Sequence, residues 1–319
     1  MANINMLKLF VAYRKVSIGI LFIVGVIVCM HTLRSTSSST TTITSLLRGE
    51  TEEAEYNNDR ADGWHPIHVY YGEAESEINP DPTISHSQAK QDEIILALMD
   101  KLDDDEINDT PGRRFYIDLA SNDATEASNT LQLENNGWEG LCIEPNPIFW
   151  YKLAHRSCTV VASFVGGVED KVPIKAHFRP GEDGLAGIIG EGFDNKDELP
   201  GSVNRYTVSL RSVFEKFNVP QSIDYLSLDV EGAESLIMKD FPFDTYRFKF
   251  MTVERPKPDL EALLEAKGYL FIMKTTNWGE TVWVHNTTAI DFNEAKNIVS
   301  GISCKLDTWQ AINCEPSER

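Results

Sequence analysis

The sequence predicts an α/β domain whose sheet is mostly parallel and ends in an antiparallel hairpin. Apolar runs recur between Phe115 and Glu254 with helix-suited intervals between them, and the runs end in polar or acidic residues. Beyond Glu254, two more runs are joined by a short turn that contains a glycine. Strands that alternate with helices build right-handed βαβ units, and such units lay their strands parallel.

The runs are Phe115-Tyr116-Ile117-Asp118-Leu119, Gly140 to Glu144, Cys158 to Phe164, Ile223 to Asp229 and Phe248 to Glu254. Helices suit Asn129 to Asn136, Ile148 to His155, Glu231 to Lys239 and Asp259 to Lys267. The hairpin comprises Tyr269 to Lys274 and Glu280 to His285, joined through Asn277-Trp278-Gly279. Upstream, Ser85 to Leu102 reads as a helix, because Ile94, Ile95, Leu98, Met99 and Leu102 share one face; Ser85 or Ser87 is its expected N-cap. The stretch from Lys171 to Tyr206 breaks the rhythm with Gly184, Gly187, Gly190 and Gly192. It reads either as a lid or substrate loop or as a disordered surface loop.

The chain has 319 residues and a formal net charge of -20. That acidity disfavours nucleic acid and anionic membrane surfaces as partners, since both would be repelled. Lys8, Arg14 and Lys15 precede an apolar stretch, and the charge bias predicts a cytoplasmic tail over 1–15, a transmembrane signal anchor over 16–33 and a lumenal remainder. A cleaved signal peptide is the rival reading and leads to the same compartment. Residues 34–63 form a Ser/Thr-rich and acidic stem, and 64–319 the lumenal domain, which begins with the aromatic-rich segment Trp64 to Tyr71. The sequons Asn108-Asp109-Thr110 and Asn286-Thr287-Thr288 agree with a type II membrane protein whose domain lies in the Golgi or endoplasmic reticulum lumen. Of five cysteines, Cys142 lies in a core strand and reads as a buried, inert thiol. Cys304 and Cys314 close a short loop and suit a disulfide in an oxidising compartment. No cysteine spacing suggests a zinc site, and no metal is read from the sequence.

In open α/β sheets, ligands bind beyond the carboxyl ends of the strands. The first strand runs through Asp118 into Ala120-Ser121-Asn122-Asp123-Ala124, a turn with no glycine that carries two acids, Asp118 and Asp123. A pyrophosphate site needs glycines and free backbone N–H groups there. This loop suits a ligand that is cationic at that point, such as S-adenosylmethionine with its ammonium and sulfonium; Asp118 and Asp123 are the expected ammonium partners. Glu144 ends the second strand, where an acid accepts from both ribose hydroxyls of a nucleoside. Asp229, Glu231 and Glu234 follow the fourth strand, and Glu254 ends the fifth. Asp229 is expected to orient the methionine part or act as base, and Glu234 to complement a helix dipole. Candidates for the general base are Asp229, Glu231, Glu254 and His177. Gln88, Ser121, Asn122, Asn146 and Ser163 complete the expected cofactor contacts.

The segments FYIDLASNDATEASNT, GWEGLCIEPNP and IDYLSLDVEGAE, with Ser87-Gln88-Ala89-Lys90-Gln91-Asp92 upstream, resemble the FkbM-type methyltransferase family from about Ser85 to His285. The resemblance implies a class I methyltransferase (Rossmann-like) fold, S-adenosyl-L-methionine as cofactor, and O-methylation of a small molecule or glycan. It implies cofactor contacts at Asp118, Asn122, Asp123 and Glu144, with Asp229 and Glu231 near the reacting centre. Many members carry Gly-Ala-Asn-Asp-Gly where this loop has alanine at 120 and 124. A need for φ > 0 at either alanine would conflict with cofactor binding. The membrane-anchored arrangement is also similar to that of Star-like trafficking proteins, which implies the alternative of a degenerate lumenal binding or cargo-escort protein.

Overall fold

The computed structural model describes residues 78, 81–105, 113–178 and 187–306. The expected tail, membrane span and stem, the segment Trp64 to Tyr71, Gly184 and the Asn108 sequon lie outside them. Among the described residues no helix is long and apolar enough to cross a membrane.

The fold is mixed α/β. In chain order the elements are α1 (Gln91–Asp105), β1 (Phe115–Leu119), α2 (Leu131–Asn135), β2 (Glu139–Ile143), α3 (Pro147–Leu153), β3 (Thr159–Val161) and β4 (Phe164–Gly166). Then come β5 (Pro173–His177), β6 (Gly187–Ile188), β7 (Val203–Ser209), α4 (Leu210–Lys216), β8 (Ser222–Leu228) and α5 (Glu234–Met238). The last are β9 (Arg247–Glu254), α6 (Pro258–Ala266), β10 (Tyr269–Lys274), β11 (Glu280–His285) and α7 (Phe292–Ser303).

The larger sheet has the order β10-β11-β9-β8-β1-β2-β3. Strands β3, β2, β1, β8 and β9 pair in parallel, while β11 and β10 add the antiparallel hairpin at one edge. Burial on both faces explains why β8 is an apolar run rather than an alternating one: all but its first residue are buried. A core of Ile94, Leu98, Tyr116, Tyr225, Phe250, Val282 and Val299 joins α1 and α7 to this sheet. Phe214 on α4 makes edge contacts with Phe241, Tyr246 and Phe248.

The structure corrects several expectations. Helix α1 begins at Gln91, not Ser85, because the Ser85 and Ser87 hydroxyls and the His86 amide all donate to Asp92, which pulls residues 85–87 into a cap. The expected third strand divides: β3 stays in the large sheet, while β4 joins β7, β5 and β6 in a second sheet of four. The described part of the Lys171–Tyr206 insertion carries β5, β6 and the start of β7, with β5 paired to β7. Helices α4 and α7 carry no expectation from the sequence. Cys142 is no free thiol; it forms a disulfide with Cys158. Cys304 is disulfide-bonded as well, and Cys314 lies outside the described residues.

Candidate functional site

Strand β1 sits between β2 on one side and β8 on the other, so the chain order reverses beside it. Such a reversal opens a crevice at the strand ends. A cleft of about 540 Å³ lies there, lined by residues that include Gln88, Asp118, Ser121, Asn122, Asp123, Glu144, Asp229, Glu231 and Glu254. The structure thus gathers onto one surface the acids at the ends of four parallel strands. Asn146 and Ser163 do not line it. Asn146 caps α3, accepting from the Ile148 amide, and Ser163 borders a small apolar pocket beside the cleft. His177 lies on β5 in the second sheet, buried, its Nδ1 without a hydrogen-bond partner.

The first loop folds around Asn122, whose φ is 54°. Asparagine tolerates this left-handed conformation better than most residues. Neither Ala120 nor Ala124 has positive φ, and the Ala124 methyl is buried in the core. The missing glycines therefore leave no backbone strain at those positions. The turn presents the Asn122 amide to Glu144 Oε2 at 2.8 Å, while Oε1 accepts from the Asn146 amide at 2.6 Å. Burial, opposed by those two amides, pushes the Glu144 carboxyl up to about 7, with Asp118 adding repulsion. A carboxylate can accept at further lone pairs, so the ribose role remains open to Glu144.

Asp118 faces inward. It accepts from the Thr130 hydroxyl at 2.5 Å, and Thr130 in turn accepts from Arg156. Arg156, fully buried, also reaches Ser128, the Tyr116 hydroxyl and Glu134. Burial raises the Asp118 carboxyl, and the Arg156 charge opposes that rise. Asp123 is engaged differently: Lys152 pairs with it at 2.6 Å, and the Thr125 and Glu126 amides donate to it. Its pKa is lowered: burial acts to raise it, and those combined donors prevail. Its carboxylate thus holds its own turn together.

The other wall begins where β8 ends. Desolvation, then Glu254 and Glu280, push Asp229 well above the usual carboxylate range. Burial and Glu254 push Glu231 up to about 7. Glu231 has φ 53° and Gly232 φ 91°. A Cβ on Gly232 would lie 2.9 Å from the Asp194 amide nitrogen, so the turn needs glycine both for its φ and for the approach of the insertion. Asp194 donates its amide to the Glu231 carbonyl. Arg255 bridges Asp194, Glu231 and Glu254 at 2.8, 3.1 and 2.6 Å. Lys257 Nζ donates to the carbonyls of Gly192 and Gly232. Asp229, Glu231 and Glu254 offer ligand atoms all within 4.8 Å of one another.

Glu280, Asn129, Gln91 and Trp278 also line the cleft and carried no site role in the sequence reading. Glu280 on β11 lies opposite Glu254 on the neighbouring β9. Asn129 donates to Ser227 Oγ at 3.0 Å, and its Oδ1 is buried without a partner. Asn129 stands inside the motif FYIDLASNDATEASNT, which was the available signal. Glu234 does serve its helix end: its carboxylate accepts from the amides of Val230 and Gly232.

A mixed α/β domain of this kind offers its ligand crevice at the carboxyl ends of its parallel strands, where this carboxylate-lined cleft lies. Residues 118–271 match the family model of the methyltransferase FkbM domain. No curated protein matches the chain. Among solved structures, the N-terminal domain of human METTL16 is similar with a TM-score of 0.31 and 13% identity, covering 60% of this chain and 68% of that one.

Proposed function

We propose that the cleft binds S-adenosyl-L-methionine and that the domain transfers its methyl group to a small-molecule or glycan acceptor in the secretory lumen. The carrying observation is Glu144, buried at the end of β2 and fixed by the amides of Asn122 and Asn146. The residues present suit this cofactor. They offer acceptor atoms, including the partnerless Oδ1 of Asp229 and of Asn129, and the loop lacks the glycines of a phosphate site. A volume of about 540 Å³ is within the usual range for cofactor sites.

When bound, S-adenosylmethionine supplies an electrophilic methyl group. Glu144 would accept from the ribose hydroxyls, and Asp118 and Asp229 would offer acceptor oxygens towards the cationic end. Glu231 or Glu254 of that wall would take the acceptor's proton at a carboxylate oxygen. Alignment of acceptor and methyl is the main contribution of such a site.

The lumenal placement and the N-terminal anchor are part of this proposal. The Cys142–Cys158 disulfide and the bonded Cys304 favour an oxidising compartment. Asn286 of the second sequon is exposed after β11, where a glycan is sterically acceptable.

Isothermal titration of the full chain with S-adenosylhomocysteine tests the reading. Binding is expected, and Glu144→Ala weakens it by about tenfold or more, since hydrogen bonds to a charged group are lost. A folded protein that binds none is not a methyltransferase; a lumenal binding or escort role then takes its place.

A further inference from the structure

Asp118 is buried yet lines the cleft, whereas Thr130 behind it is fully buried and does not line it. Thr130 is the N-cap residue of α2, where a threonine hydroxyl ordinarily accepts from an amide of the first turn. It makes no such bond here. Ser128 serves the helix start instead, accepting from the Leu131 amide at 3.2 Å. The Thr130 hydroxyl is thus diverted: it donates to Asp118 Oδ2 at 2.5 Å and accepts from Arg156 Nη2 at 2.9 Å.

The direction of this relay is fixed by chemistry. A guanidinium has only donors, so Thr130 accepts from Arg156 and turns its single proton towards Asp118. Arg156 is itself held by Ser128 Oγ at 3.0 Å and paired with Glu134 at 3.1 Å. From the other side Ser227, the neighbour of Asp118 in the register of β1 with β8, adds a second hydroxyl hydrogen bond to it. Burial raises the Asp118 carboxyl, and Arg156, Thr130 and Ser227 all oppose that rise. The network therefore sets two carboxylates, Glu134 and Asp118, against one guanidinium. A buried carboxylate is costly unless it is hydrogen-bonded and matched by a cation, and a ligand ammonium in the cleft supplies the second one.

We propose, on the footing of the methyltransferase reading, that Thr130 is a positioning residue for the cofactor: it acts through Asp118, to which it relays Arg156, and so sets the grip on the ammonium of the methionine part. The effect is selective. Losing the Thr130 hydroxyl weakens the hold on the amino-acid end and leaves the adenosine end, seated by Glu144, as it was. A network that served the fold alone would weaken both ends alike.

The test is isothermal titration of the full chain with S-adenosylhomocysteine and with methylthioadenosine, which keeps the adenosine and the thioether but lacks the amino-acid group. Thr130→Val keeps the shape and removes the hydroxyl. It is expected to lower S-adenosylhomocysteine affinity about tenfold or more, as for a hydrogen bond to a charged group, and to change methylthioadenosine affinity by less than about twofold. Thr130→Ser restores a hydroxyl and is expected to return S-adenosylhomocysteine affinity to within about threefold of the parent protein. An equal loss for both ligands, no loss for either, or no rescue by serine overturns the inference while the methyltransferase reading stands. Should Thr130→Val fail to fold, Ser227→Ala carries the same expectation through the second hydroxyl, and an unchanged ratio of the two affinities there overturns the inference. A folded parent protein that binds neither ligand overturns the methyltransferase reading, and the inference with it.

Discussion

Glu280→Gln isolates one buried acid of the cleft. Glu280 is 3% exposed and lies directly across from Glu254 in the antiparallel pairing of β11 with β9, where like charges repel. Burial, then Glu254, raises its carboxyl from 4.5 to about 8, while Thr252 and Gln91 act in the opposite direction through hydrogen bonds. The folded state therefore holds a proton that the unfolded chain releases near 4.5. Stability from this group is fully present in acid and is lost as pH rises towards 8. A tenfold difference in proton affinity between the two states is worth about 1.4 kcal/mol, so the loss between about pH 5 and pH 8 is on the order of 3 kcal/mol. Glutamine keeps hydrogen-bonding capacity and does not titrate. Urea denaturation of both proteins at several pH values, followed by tryptophan fluorescence, should show Glu280→Gln gaining on the parent protein by roughly that amount as pH rises. Parallel pH profiles would refute the reasoning, because Glu280 would then titrate alike in the folded and unfolded states.

Arg156→Met should destabilise the domain by about 3–5 kcal/mol in the same denaturation assay, since it leaves the buried Glu134 and Asp118 without their cation. Replacing Cys142 and Cys158 together by alanine should cost roughly 3 kcal/mol, as their link closes a loop of sequence separation 16; an unchanged midpoint would contradict that. Asn122→Val should lower both stability and S-adenosylhomocysteine affinity, because a β-branched residue resists a φ of 54° and displaces the amide that holds Glu144, whereas Asn122→Gly should retain affinity in titration.

Much of the sheet was legible from the sequence because parallel strands buried on both faces are written as bare apolar runs. The runs at Phe115, Gly140, Ile223 and Phe248 each became a strand within a residue or so, and the hairpin matched its expected bounds. What the sequence hid was tertiary. Nothing local signals that Ser85 and Ser87 turn towards Asp92 instead of continuing a helix. Val161 and Phe164 are close in sequence yet belong to different sheets, a choice made by β7, which arrives much later in the chain. The acids at the strand ends were visible as candidates, since their spacing follows the strands. Glu280 was not, because it reaches the cleft from an antiparallel strand, β11, and starts that strand rather than ending it. Likewise, the buried Arg156 and the disulfide partner of Cys142 are set by contacts that sequence spacing does not encode.

The Cys142–Cys158 link also bears on the order of assembly. It fastens β2 to the approach to β3 across a separation of 16 residues, whereas β1 must wait for β8, over a hundred positions downstream, to gain its second neighbour. Closing a short loop costs less chain entropy than closing a long one, so local pairings form sooner. The half of the sheet that carries Glu144 is therefore the half that can be covalently fixed first, and the carboxylate wall of β8, β9 and β11 is laid against an edge already in place.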